Sequence, residues 1–374
     1  MIVPFYRPWI LDEDIDRATA VLRSGWLTSG PRCGDVEAEL CRLTSAKYAL
    51  VMSSCTAALH TAFVYHRPKS ADQIIVPDFT FAATATAVVN AGAVPLLCDV
   101  EPESGGLDPN EVERLLRSQP NVIGIAAVHY AGIPCDVASL REIAEHFGVF
   151  LVEDAAHALG SSHSNGEKVG AASQDGTALS FYATKNATSA EGGALLTDDD
   201  SLAQFARLFR YHGLTRIAWE REGSPSPFDS TYDIETVGFK YNLSDLSAGL
   251  LLGQLQRFEK GQSRRREIAE RYVEAFASLP VQCMGAGVPG HAWHLFVLRS
   301  DLARGLSQHL FDRDIGTQHH YRPLHELSFL RGAPSQFPNS SQLSQSVLSL
   351  PLYPDLSEAE QGHVIDSVRG FFHG

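Results

Sequence analysis

From about residue 47 to residue 200, short apolar runs alternate with segments of helical pattern. The apolar runs predict strands at Ala49–Met52, Ile74–Pro77, Val94–Val100, Val122–Val128, Val149–Glu153, Thr177–Phe181 and Gly193–Thr197. Several are apolar throughout, without the in-and-out alternation of a half-exposed strand. That pattern fits strands covered on both faces of a mainly parallel sheet. Segments such as Pro109–Ser118 and Val137–Phe147 predict the covering helices. The expected fold class is α/β, with a sheet flanked by helices and right-handed crossovers.

Past residue 245 the rhythm changes. Asp245–Ala277 repeats its apolar residues at helical spacing and predicts one long linking helix. A strand at Ala292–Leu298, a helix at Asp301–Asp312 and a polar loop at His319–Pro323 follow. A last helix, Ser357–Phe371, opens with Ser357 and Glu360 at capping-box spacing. The 374 residues exceed what one core usually organises. Two domains are therefore expected: residues 1–245, large, and residues 246–374, a linking helix with a small α+β unit. Gly223–Ser230 reads as an exposed loop.

Composition adds exclusions. Hydrophobic residues are 44% and charged residues 20%, a soluble globular profile. No apolar run approaches the ~20 residues of a bilayer span. The first residues lack a basic stretch followed by an apolar one, so neither a membrane span nor a signal peptide is expected. A net charge of −14 argues against nucleic-acid binding. The run Arg264-Arg265-Arg266 lies among Glu259, Glu267 and Glu270 and reads as a solvated helix face. Six scattered cysteines without a C-x-x-C pair predict free thiols, no metal site and a cytoplasmic protein.

Ligands in open α/β sheets bind beyond the carboxyl ends of the strands. Polar residues follow several of the predicted strands. Lys185 comes after Thr177–Phe181; a lysine in a desolvated place is partly neutral and nucleophilic. Asp154 ends the run Val149–Glu153, where a carboxylate can hold a heteroaromatic nitrogen protonated or simply cap a helix. Glu153 would point to the opposite face of the strand. Ser53 to Leu59 places small and hydroxyl residues at a probable helix start, a phosphate cup or a plain N-cap. Phe81 follows another strand end and could stack on a flat ring or fill the core. Gly285 to Gly290 matches G-x-G-x-x-G but precedes a strand and contains Pro289, so it reads as a turn. His319, His320 and His325 lack metal-ligand company.

Together these motifs resemble the sugar aminotransferases of the DegT/DnrJ/EryC1/StrS family, within fold type I of the pyridoxal-phosphate enzymes. The resemblance runs nearly end to end. It includes Ser24–Pro31, Ser53–Leu59, Val76–Ala85, Val152–His157, Ser180–Lys185, Glu191–Gly193, Gly238–Asp245 and Gly316–His325. It implies an aspartate-aminotransferase-like fold and pyridoxal 5′-phosphate as cofactor, with pyridoxamine phosphate between the two halves of the reaction. It implies Lys185 as the Schiff-base lysine and Asp154 as the partner of the pyridine nitrogen. Phe81 would stack on the cofactor, and Cys55, Thr56 and Ser180 would hold its phosphate. His157 stands where many relatives carry Gln, near the cofactor's phenolic oxygen. Lys240 and Asn242, where many relatives have Asn and Arg, would reach a neighbouring subunit's cofactor. Thr28, His320, Tyr321 and His325 are the implied substrate contacts.

The implied reaction moves an amino group from L-glutamate to a nucleotide-linked keto sugar in a homodimer with shared active sites. Three alternatives stay open: a keto-cyclitol as acceptor, a sugar dehydratase of the same fold, and a non-enzymatic regulator or binding protein that retains the fold. Dehydratases of this kind carry histidine in place of the lysine, so Lys185 favours transamination.

Overall fold

The computed structural model describes residues 1–222, 231–330, 332 and 336–373. The expected loop at Gly223–Ser230 lies outside them. In chain order the first elements are α1 (Asp12–Ser24), α2 (Pro31–Thr44), β1 (Tyr48–Met52), α3 (Cys55–Tyr65), β2 (Gln73–Pro77) and α4 (Ala82–Asn90). Then come β3 (Val94–Cys98), α5 (Pro109–Ser118), β4 (Val122–Val128), α6 (Val137–Phe147), β5 (Phe150–Asp154), β6 (Thr177–Ser180) and β7 (Gly193–Thr197). Next are α7 (Asp200–Phe209), α8 (Ala218–Glu222), α9 (Asp245–Gln256) and α10 (Phe258–Phe276). The chain closes with β8 (Gln282–Cys283), β9 (Phe296–Arg299), α11 (Ala303–Phe311), α12 (Pro338–Ser346), β10 (Val347–Leu350) and α13 (Glu358–His373).

Seven strands form one sheet in the order β1-β7-β6-β5-β4-β2-β3. The pairs β2/β3, β2/β4, β4/β5 and β5/β6 are parallel, and β7 runs antiparallel to both β6 and β1. Hence β1 points the same way as β6, and the carboxyl ends of β1, β2, β4, β5 and β6 meet along one edge. Their continuous apolar runs are explained by cover on both faces. One core joins α3, α4 and α7 to one side, and another joins α2 and α9 to strands β1, β6 and β7. A second, antiparallel sheet in the order β10-β9-β8 has its own core with α10, α11 and α13. The first residues join that core: Val3 is fully buried and bridges to Ile315.

The single long helix expected over Asp245–Ala277 is two helices, broken at Arg257 (φ −107°, ψ 17°). Arg257 turns its guanidinium onto the fully buried Asp14 of α1 and onto the Trp9 carbonyl. Leu251, Leu252 and Leu255 of α9 can then pack beneath the large sheet while α10 leaves for the small one.

The triple-arginine segment is not a uniformly solvated face. Arg265 is 2% exposed and donates to the carbonyls of Trp293, His294 and Leu352. The strand expected at Ala292–Leu298 starts only at Phe296. Ahead of it, Ala292 N–H and Leu295 N–H donate to Gly132 and Ala131 instead of to a neighbouring strand, and Trp293 turns into the left-handed region (φ 46°).

Asp245 ties the ends of the large layer together. It is 2% exposed, and its carboxylate accepts from the N–H groups of Gly30, Arg32 and Cys33 at 2.8, 3.2 and 3.1 Å. Helix α2 has Gly30 at its N-cap and no side-chain cap of its own, so this distant carboxylate satisfies its free donors. At the far end, the capping box of α13 forms as the sequence predicts: Ser357 N–H donates to Glu360 at 2.8 Å, and Glu360 N–H to Ser357 Oγ at 3.2 Å.

Candidate active site

One cavity of about 580 Å³ opens at the carboxyl edge of the large sheet. Ser54, Cys55 and Thr56 follow β1; Phe81 follows β2; Asp154 ends β5; Ser180 ends β6; Lys185 lies in the turn beyond it. Leu350 of β10 and the segments flanking the small sheet, with His294, Gln318, His320, Tyr321 and Leu352, close the cavity. Phe5 and Tyr6 from the start of the chain complete the wall.

Lys185 is held by a tight turn in which its N–H donates to the Tyr182 carbonyl at 3.0 Å. Burial lowers its pKa to about 8, although Cys55 and Asp154 nearby pull the other way. A substantial share of the amine is thus neutral near physiological pH, as a nucleophile and proton shuttle requires.

Asp154 is 6% exposed. One oxygen accepts from Thr84 Oγ at 2.7 Å; the other accepts from Ala156 N–H at 3.1 Å and from the Cys55 thiol at 3.8 Å. No helix starts at Asp154, so it is not a helix N-cap. Its acceptor capacity exceeds what these partners use, which leaves room for one more donor from the cavity. Thr84, on the inner face of α4, carried no sequence signal, because its role depends on β2 and β5 lying one strand apart.

Ser54 is the N-cap of α3: its hydroxyl accepts from Ala57 N–H at 3.0 Å. The first N–H groups of the eleven-residue α3 open beside Cys55, Thr56 and Ser180, where a phosphate would meet both donors and a positive helix end. Gly193 of β7 keeps this corner compact. A Cβ there would stand 2.3 Å from the Ser54 carbonyl carbon and 2.4 Å from Cys55 N. Phe81 does not fill the core: it is 61% exposed and lies on the cavity wall.

His157 is buried against Tyr321, its Nε2 lying 3.0 Å from the hydroxyl. His294 stacks obliquely on His157 at 4.3 Å. Burial pushes both histidines well below the ordinary value, and Lys185 adds to the effect. His320 is lowered by burial to about 4.

Four expected site residues stand off these walls. Thr28 offers its carbonyl to Asp245 N–H at 3.3 Å. Asn242 donates to Ser29 Oγ at 2.5 Å and bridges to Met52. Lys240 is exposed, with its ammonium 4.2 Å over the Tyr211 ring. His325 is no substrate contact within this chain. It is 1% exposed, hydrogen bonded to Asp78 at 2.6 Å through Nδ1 and stacked on Phe337, where it anchors the loop that carries Tyr321. Glu153 points away from the cavity, as strand alternation requires, and meets His129 at 3.0 Å. Phe5, Tyr6, His294 and Gln318 escaped sequence reading, since only tertiary packing brings them here.

The residues fit a pyridoxal-phosphate group. A depressed lysine, a carboxylate with spare acceptor capacity, an open helix N-terminus and an exposed aromatic share one cavity of suitable size.

Comparison with known proteins agrees. The family model of the DegT/DnrJ/EryC1/StrS aminotransferase family matches residues 8–369. Spr1654 of Streptococcus pneumoniae, named as a candidate sugar aminotransferase and solved in PMP, apo and PLP forms, is similar to this chain. Its PMP form is 28% identical over 99% of both chains, with a TM-score of 0.91. Helicobacter pylori PseC, an aminotransferase involved in pseudoaminic acid biosynthesis, is 26% identical over all of both chains, with a TM-score of 0.90. DesV of S. venezuelae, solved with a ketimine intermediate, is 30% identical over 97% of this chain and 95% of its own, with a TM-score of 0.86. The chain belongs to the DegT/DnrJ/EryC1/StrS aminotransferase family.

Proposed function

We propose that this aminotransferase uses pyridoxal 5′-phosphate to move an amino group from L-glutamate to a nucleotide-linked keto sugar. The observation that carries the reading is Lys185, depressed to about 8 by burial, sharing one cavity with Asp154 and the open end of α3. The sugar is proposed from the names of the similar proteins. When bound, the cofactor supplies an electron sink for the carbon that gains or loses the amino group.

The chain's own residues do the rest. Lys185 Nζ takes a proton as the neutral amine and returns it as the ammonium. Asp154, oriented by Thr84 and Ala156, holds the ring nitrogen protonated. Cys55, Thr56 and Ser180 receive the phosphate at the α3 N-terminus. Phe81 covers the ring from the mouth of the cavity. Tyr321 and His320 meet the substrate.

The test is a substrate panel with L-glutamate as donor, read as 2-oxoglutarate formed. Nucleotide-linked keto sugars are expected to turn over at least about a hundredfold faster in kcat/KM than free keto-cyclitols. The reverse preference would overturn the sugar assignment and leave the cyclitol reading.

We also propose a homodimer with shared active sites, in the cytoplasm. The free state of all six cysteines supports the compartment. Among the described residues, Lys185 is the one lysine or arginine on the cavity wall, too little positive charge for a phosphate and an anionic substrate. Lys240 stands outside its own cavity, beside the exposed Val237 and Phe239. Two inactive variants, Lys185→Ala and Lys240→Ala, are dissociated, mixed and reassociated. If Lys240 serves the neighbour, each mixed dimer has one site free of lesions, and about a quarter of wild-type activity returns. If it serves its own chain, no activity returns.

A further inference from the structure

A main-chain group settles the proton pattern of His157. The Ala131 N–H, aimed by a left-handed backbone turn (φ 58°), donates to His157 Nδ1 at 3.2 Å. An N–H can only donate, so Nδ1 is bare. The neutral ring then carries its proton on Nε2, facing the Tyr321 oxygen at 3.0 Å. Tyr321 therefore accepts from His157, and its own O–H hydrogen is left for another acceptor. A second proton on His157 would set N–H against N–H at Ala131 and break that bond.

The groups around the ring reinforce this state. Lys185, His294 and His320 face it from the Lys185 turn, the segment before β9 and the loop before Tyr321. His294 is also fixed. The Ala292 carbonyl accepts from Asn186 Nδ2 at 3.1 Å, so Asn186 Oδ1 is the atom 3.0 Å from His294 Nδ1, which must carry the proton. Among the described residues no carboxylate is hydrogen bonded to His157, and burial raises Tyr321 far above the working range.

We infer that His157 is an uncharged positioning residue whose task is to hold Tyr321 so that the tyrosine hydroxyl donates into the catalytic cavity, to a carbonyl or anionic oxygen of cofactor or substrate. The ligand end of this inference rests on the proposed function; the hydrogen-bond pattern does not. The pattern also explains how a glutamine side chain could serve the same place: its oxygen would accept from Ala131 and its amide nitrogen would donate to Tyr321.

The first test needs no variant. Nitrogen-15 NMR of histidine-labelled holoenzyme should show His157 with a bare Nδ1 and a protonated Nε2, unchanged between about pH 6 and 9. The opposite tautomer, or a titration in that range, overturns the inference whatever the substrate proves to be. In the second test, His157→Leu and Tyr321→Phe should each lower kcat/KM about tenfold, and the double variant no further than the larger single loss. His157→Gln should restore activity to within about threefold of wild type. Additive losses, or a glutamine variant as poor as the leucine one, would show that His157 does not act through Tyr321. Tyr321→Phe also identifies the acceptor. A shifted cofactor absorption band marks the cofactor's oxygen, a raised KM for the keto sugar marks the substrate's, and neither change refutes donation into the cavity.

Discussion

Lys185→Ala should leave a folded protein whose transamination is slower by about 10⁴-fold or more. The side chain sits in a turn and takes no part in the apolar cores, so its loss removes a reacting amine without opening the interior. Borohydride reduction of the loaded enzyme should fix the cofactor on the peptide holding Lys185; labelling at another lysine would refute the assignment. The pH dependence has a defined sign. Burial places the lysine near 8, and only the neutral amine attacks an aldehyde. Capture of pyridoxal phosphate by cofactor-free protein should therefore rise about tenfold per pH unit below that value and level off above it. Stopped-flow absorbance measures it directly, and a rate flat from about pH 6 to 9 would mean that Lys185 is not the capturing group.

Asp154→Asn should keep the cofactor bound but slow the half-reaction with glutamate by about 10²–10³-fold. The amide fills the same space and keeps an oxygen for either the Thr84 hydroxyl or the Ala156 N–H. It lacks the negative charge that holds a ring nitrogen protonated, so the loss falls on proton abstraction more than on binding. Single-turnover absorbance with glutamate separates the two. A rate within about threefold of wild type, under ~0.7 kcal/mol of barrier, would remove Asp154 from that role.

Both residues could be singled out in the sequence because parallel strands advertise themselves. A buried strand reads as a short apolar run, and a polar residue just after it projects into the crevice at the sheet edge. The same logic missed whatever depends on two distant segments meeting. His294 lies in an apolar stretch that looks like continuous strand. It reaches the cavity only because Ala292 and Leu295 bind the turn at Ala131–Gly132. The break at Arg257 was hidden for a similar reason. Apolar spacing continues through it, and the cause is a buried carboxylate on α1, some 240 residues earlier by number (Asp14 to Arg257). The family resemblance implied His325 as a substrate contact, yet in the fold Asp78 and Phe337 enclose it.

Phe5 and Tyr6 share the cavity wall with Leu350 and Leu352, and Val3 is paired with Ile315. A ribosome releases the amino-terminal end first and the small sheet last. Lys185 and Asp154 belong to the large sheet, but their crevice would lack Leu350 and Leu352 until β10 and the residues after it have emerged. Holding pyridoxal phosphate against dilution should therefore require the small sheet and the first residues as well as the large sheet. A fusion partner or a deletion at the first six residues would disturb the cavity itself, although Phe5 lies 180 residues before Lys185 in the chain.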